Sequence, residues 1–266
     1  MREFDATNDK HLWEGQGATG PWPVYKGASF NLWEPDTGTH YGRADPAIVL
    51  AELQRKRLKQ NKLARSAFSE FPREWAEDPA TLPCLQPRIA FRDVTNRANK
   101  RTVIACLVPG QIVITNQAPY LLFAAGDARD EAYLLGVLCS MPLDWYSRLI
   151  VERHLSFFLF NGLPVPRPSR EDPIRRRVEQ IAGRLAAVDE RYTEWASVVG
   201  VPVGSVSSDE ERADLVAELD AAVGLLYDLD EADLRVIYDT FHEGTDYSAH
   251  VSAVLDHYSR LAEAHR

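Results

Sequence analysis

Cysteine is scarce in this 266-residue sequence: Cys84, Cys106 and Cys139 stand singly, with no Cys-x-x-Cys pair. That spacing excludes a zinc ribbon and a disulfide framework, and it predicts reduced, mostly buried thiols. No stretch approaches the roughly 18 uncharged apolar residues of a membrane span, and the N-terminus MREFDATNDK has no apolar signal core. The expectation is a soluble, cytoplasmic protein with no membrane partner. Catalytic signatures are missing too: there is no G-x-S-x-G elbow, no P-loop and no H-E-x-x-H. Gly15 to Gly20 matches G-x-G-x-x-G by letter, yet no strand precedes it and Pro21-Trp22-Pro23 follows where a helix must begin, so it reads as a loop. The seven histidines are scattered, and His154 or His242-Glu243 read as surface or core-edge residues rather than bases. Asp93 with Glu131 or Glu152 has no nuclease-like spacing. No catalytic and no metal residue is therefore assigned, and no internal repeat or low-complexity tract is visible.

An excess of basic residues is also lacking, since the net charge is −9. The distribution is uneven, however. Residues 201–266 hold 4 Lys/Arg against 15 Asp/Glu, whereas residues 51–110 hold 12 against 6. Basic charge gathers in the first half and acid in the tail. With 45% apolar residues the chain can fill one large or two modest cores.

Residues 1–46 are rich in Gly, Pro, Trp and Tyr and read as short strands joined by turns, with Gly27 marking a bulge or close backbone approach. A helix is predicted from Pro46 to about Ala67, carrying Arg55, Lys56, Arg57, Lys59, Lys62 and Arg65. Residues 71–87, with four prolines, read as a loop. Ile89 to Val94, Thr102 to Leu107 and Gln111 to Thr115 then read as a three-stranded antiparallel meander, turning at Thr95–Arg101 and at Pro109-Gly110. Glu131 to Ser140 reads as an apolar helix broken by Pro142, Leu143 to Val151 as a second helix, and Leu155 to Phe160 as an aromatic strand. Pro164, Pro166 and Pro168 force an extended boundary segment. Asp172-Pro173 opens a long helix whose Val178, Ile181, Leu185, Val188, Tyr192 and Trp195 alternate at three and four, a seam demanding a partner helix. Ser208-x-x-Glu211 is a capping box before another helix, and Glu231 to Phe241 and Ser248 to His265 complete an acidic bundle.

The chemistry that is present suits recognition. Arg and Lys serve phosphates and the guanine edge, and Asn and Gln pair with adenine. Asn96, Arg97, Asn99, Lys100 and Arg101 crowd one loop, Arg92 precedes it, and Asn116 and Gln117 follow the third strand. Arg55, Lys59 and Lys62 offer a phosphate-facing helix side.

The order RIAFRDVTN, RTVIACLVP, APYLLF, EAYLLGVLCSMPLDWYSRLIVE and LSFFLFNGLPVPRP, flanked by VYKGASFNLWEPDTGTHY and by ELDAAVGLLYDL with YDTFHEG, covers nearly the whole chain. It resembles the target recognition domain of type IIG restriction-modification enzymes and adenine-specific DNA methyltransferases, and also type I specificity subunits. The FRDVTN and RTVIA pair and the ending Phe160-Asn161-Gly162-Leu163-Pro164-Val165-Pro166 are its most specific parts. Those relatives carry an upstream catalytic domain with an Asn-Pro-Pro-Tyr motif. Here Asn116-Gln117-Ala118-Pro119-Tyr120 is one residue too long and lacks the first proline. The resemblance therefore implies a fragment or a separate specificity polypeptide that serves adenine methylation or restriction, and so phage defence. S-adenosylmethionine would sit on a catalytic domain outside this chain, with no cofactor within it.

The expectation is an α+β protein with a DNA target recognition domain at 1–168 and a helical spacer and bundle at 169–266. Its partners would be double-stranded DNA and a methyltransferase or nuclease domain or subunit, with the 95–101 loop in a groove and Arg55 to Arg65 on phosphates. Two rival readings are a diverged methyltransferase or nuclease acting by itself and a protein-interaction module using the acidic tail.

Overall fold

Aromatic and turn-forming residues early in the chain build a short hairpin: strand β1 (Trp22–Tyr25) pairs antiparallel with β2 (His40–Ala44), Trp22 opposite Ala44, with a register shift at Val24/Tyr25. The structure is a computed structural model that describes residues 1–14, 20–95, 99–241 and 244–265. Gly15 to Thr19 of the glycine match, Asn96, Arg97, and His242-Glu243 lie outside the described residues. Contacts divide the chain into two compact units, Met1–Asp93 with Ala105–Gly126, and Val94–Ile104 with Asp127–Arg266. Residues 127–168 thus cluster with the helical region, and the boundary falls at Gly126 rather than at the Pro-rich segment.

In the first unit Asp45 caps helix α1 (Pro46–Asn61), its carboxylate accepting from the Ala47 and Ile48 amides, and Pro46 fills the first turn. Val49 and Leu53 enter a core with Phe4, Trp13, Trp22, Val24 and Val113. The stretch expected as loop contains helix α2 (Arg73–Glu77). Strands β3 (Arg88–Phe91) and β4 (Ala105–Val108) pair antiparallel, Ile89 opposite Leu107, and both are buried on both faces.

The third strand of the expected meander goes elsewhere. β5 (Val113–Ile114) joins β1 in parallel, giving the order β2-β1-β5. The Pro109-Gly110 turn is the cause. A Cβ on Gly110 would stand 2.4 Å from the Leu85 carbonyl oxygen, Gln111 adopts φ 60°, and its N–H donates to Cys84 O at 2.7 Å. Those contacts steer the chain onto the 83–85 turn instead of back along β4. Beneath, Arg88 donates through Nη2 to Glu3 at 2.8 Å, both side chains at most 5% exposed, and Glu3 also accepts the Ile114 N–H at 2.7 Å. The N-terminal segment is thereby fastened to β3 and β5.

The second unit is helical: α3 (Ala128–Cys139), α4 (Met141–Ile150), α5 (Phe157–Asn161), α6 (Pro173–Ala186), α7 (Thr193–Val199), α8 (Asp209–Leu226), α9 (Glu231–Phe241) and α10 (Ser248–His265). Pro142 starts α4 instead of breaking α3, because Ser140 caps and proline suits the first turn. The aromatic segment expected as a strand is α5, since the Ser156 hydroxyl accepts from the Leu159 N–H. The expected seam is interrupted: α6 ends at Ala186, and Asp189 caps a fresh turn before α7. Its partners are internal. A Cβ on Gly136 of α3 would lie 2.7 Å from Val178 of α6 and 3.3 Å from Leu219 of α8, so glycine sets this close three-helix approach.

Trp195 of α7 donates through Nε1 to Glu131 of α3 at 2.8 Å, and burial pushes the Glu131 carboxyl above its usual range despite that bond. A raised folded-state pKa means that Glu131's stabilisation is complete below the ordinary glutamate range and is lost as pH rises through its folded value. Glu131→Gln keeps an acceptor for Trp195 and should raise stability at neutral pH while flattening the pH dependence above 4, read as urea midpoints across pH.

Candidate nucleic-acid interface

The cations of α1 have separate fates. Arg57 is buried and spends its guanidinium on Thr81 Oγ1 (2.8 Å), Gln54 Oε1 and Asp78 O. Lys56 pairs with Asp9 at 2.7 Å and lies 4.3 Å from the Phe4 ring. Arg55 and Lys59, four apart on one side of the helix, are exposed, as are Lys62 at its C-terminal cap and Arg65 in the turn beyond. Arg55 pairs with Glu52. Lys59 and Lys62 form no ion pair among the described residues.

Arg55 and Lys59 line one wall of a cleft of about 440 Å³, and Asn116 lines it too. The structure thus joins three predicted residues that sequence had placed in separate groups. The opposite wall is the segment Arg2 to Asp9, which sequence reasoning had not implicated. Its signal was Asp5: the carboxylate accepts from Thr7 N–H and Asn8 N–H at 2.9 Å each, a turn that short polar residues form locally. These two bonds hold the Asp5 carboxyl below its usual range. Gln117 is half-buried, and its carbonyl accepts from the Asp93 N–H.

Two predicted contacts are consumed internally. Arg92 donates to Phe30 O at 2.5 Å from a half-buried position, and burial lowers its pKa. Arg101, at 14% side-chain exposure, donates through Nε to Asp144 Oδ2 at 2.7 Å and through Nη2 to the Cys139 and Ser140 carbonyls. It therefore caps the C-terminus of α3. Burial works against its charge, and Asp144 outweighs that, holding the guanidinium above its ordinary range. Asp144 is fully buried and accepts further from Thr102 N–H and Val103 N–H. In the same loop Asn99 Nδ2 donates to Thr95 Oγ1 at 3.3 Å, its carbonyl accepts from Arg148, and Lys100 is exposed. The loop base is therefore anchored to the helical unit through Asp144 and Arg148, leaving Lys100 as its outward cation among the described residues.

The net charge follows the same division. The first unit holds 13 Lys/Arg and 13 Asp/Glu, so the 17 and 26 of the second carry the entire −9. All three cysteines are buried and free, and burial pushes the Cys84 thiol up to about 12, which leaves it unreactive at neutral pH. Among the described residues no three His, Cys, Asp or Glu side chains converge as a metal site, and no helix is long and apolar enough to cross a membrane.

No protein-family model and no curated protein sequence matches the chain. One solved structure that resembles it is that of the type IIL restriction-modification enzyme MmeI in complex with DNA, at 13% identity and a TM-score of 0.39. That match covers 98% of this chain, which spans about a third (33%) of the other protein's length.

Proposed function

We propose that this chain recognises double-stranded DNA as the specificity part of an adenine DNA methyltransferase or restriction-modification enzyme, in the cytoplasm, with the chemistry supplied by another domain or subunit. The observation that carries the reading is the exposed cations of α1 and the turn that follows it: Arg55, Lys59, Lys62 and Arg65 are all exposed, and Lys59 and Lys62 have no acidic partner among the described residues. Uncompensated, exposed cations are what a phosphate backbone requires. The sequence likeness of the FRDVTN and RTVIA segments to target recognition domains supports the same reading. The charge imbalance divides the labour, with the neutral unit meeting DNA and the acidic helical unit, which exposes Leu149 and Phe158, meeting the catalytic partner.

The test is binding of a 30-base-pair duplex to the full chain across a salt series. Reversing Arg55, Lys59 and Lys62 to Glu together should weaken binding by more than roughly tenfold and make the salt slope shallower. Lys100→Glu tests the loop separately. If the triple variant binds as the parent does, these cations are not the DNA-contacting surface; if the parent binds no duplex, the DNA reading falls. Calorimetry with S-adenosylmethionine should register no heat; clear binding would favour the rival in which the chain is itself a methyltransferase.

A further inference from the structure

We infer that the cleft between the N-terminal segment and α1 is a phosphate site, in which Lys59 and the Asn116 amide hold one backbone phosphate of the duplex. The inference rests on the DNA reading above and adds to it a defined contact. Charge pairing around the cleft singles out Lys59. Glu3 is matched by Arg88, Asp9 by Lys56 and Glu52 by Arg55, and Asp5 lies within the field of Arg2. Lys59 lines the same cleft with no acid against it among the described residues.

Asn116 supplies the second argument. Its Oδ1 accepts the Ala6 N–H at 2.9 Å, and because a backbone N–H can only donate, the amide orientation is settled. Its Nδ2 group has no partner among the described residues, and Asn116 lines the cleft. Reading adenine requires both amide atoms at once, a donor and an acceptor side by side. With Oδ1 tied to the chain, Asn116 suits a ligand that only accepts. A phosphate oxygen beside an ammonium group meets both conditions. Such a contact fixes position along the duplex and carries no sequence information.

Two variants test this in the full chain with a random-sequence duplex as probe. Asn116→Asp keeps an oxygen for the Ala6 N–H, so folding is preserved, and puts an anion where Nδ2 stood. Binding should fall roughly tenfold or more with an unchanged thermal midpoint. Lys59→Gln should lower the salt slope by about 0.9, one released counterion. Because both groups would hold the same phosphate, the double variant should lose less than the product of the single losses. If the parent binds DNA and both single variants bind equally well, or if the losses multiply independently, the cleft is not a phosphate site and the DNA reading stands. If the parent binds no duplex, both ideas fall together.

Discussion

Asp144→Asn is expected to destabilise the helical unit by about 3–5 kcal/mol, the cost of stranding a buried charge. Both Asp144 oxygens are fully used as acceptors. Oδ1 takes the Thr102 and Val103 N–H groups, and Oδ2 takes Arg101 Nε with a second approach from Thr102. Asparagine fails in either orientation, because its NH2 must then face a donor. Arg101 cannot escape by losing its proton. Arg101→Leu should cost less, since Asp144 would keep two backbone donors and its favourable place in the first turn of α4. The measurement is urea unfolding of the full chain, followed by amide exchange over residues 99–104. A loss below about 1 kcal/mol for Asp144→Asn would show that Arg101 finds water or another partner.

The second large effect is at Glu3 and Arg88, and it should be unequal between the partners. Glu3→Leu leaves a guanidinium at 5% side-chain exposure with its proton fixed, and orphans the Ile114 N–H, so about 3–5 kcal/mol should be lost. Arg88→Met leaves a carboxyl that burial already pushes above its usual range. That group can take up a proton and neutralise itself, which makes the arginine variant the milder one. The asymmetry should widen as pH falls, because the Glu3 carboxyl in Arg88→Met is then protonated at less cost while Arg88 in Glu3→Leu stays charged. Equal losses at every pH would contradict this account.

How far the sequence disclosed this arrangement depended on the range of the forces involved. Helix starts were legible wherever a local signal acts within three residues: helices begin at Pro46, at Asp172-Pro173 and at Ser208, whose hydroxyl accepts the Glu211 N–H although the Glu211 carboxylate reaches back to Ser207 instead of closing the box. The segment FFLF was misread because its aromatic content resembles a strand, although Ser156 before it and Gly162 after it were helix signals. The fate of β5 was not local at all. Its choice of β1 over β4 depends on Gly110 seating against Leu85, a contact across 25 positions. Lys100 and Arg101 show the same limit at the site. They are adjacent and chemically alike, yet Asp144 draws Arg101, 43 positions before it, inward and leaves Lys100 exposed. The cleft was illegible for that reason: Arg2, Lys59 and Asn116 meet only in three dimensions.

The connection between β3 and β4 has an evolutionary consequence. Residues 94–104 leave one unit, anchor to the helices of the other and return. A genetic exchange at 126/127 between two such proteins would inherit the loop from one parent and the Asp144 that seats it from the second. Viable recombinants are then expected to take residues 94–104 and α3–α4 from the same parent, so that diversification by shuffling is confined to joints outside that linked pair.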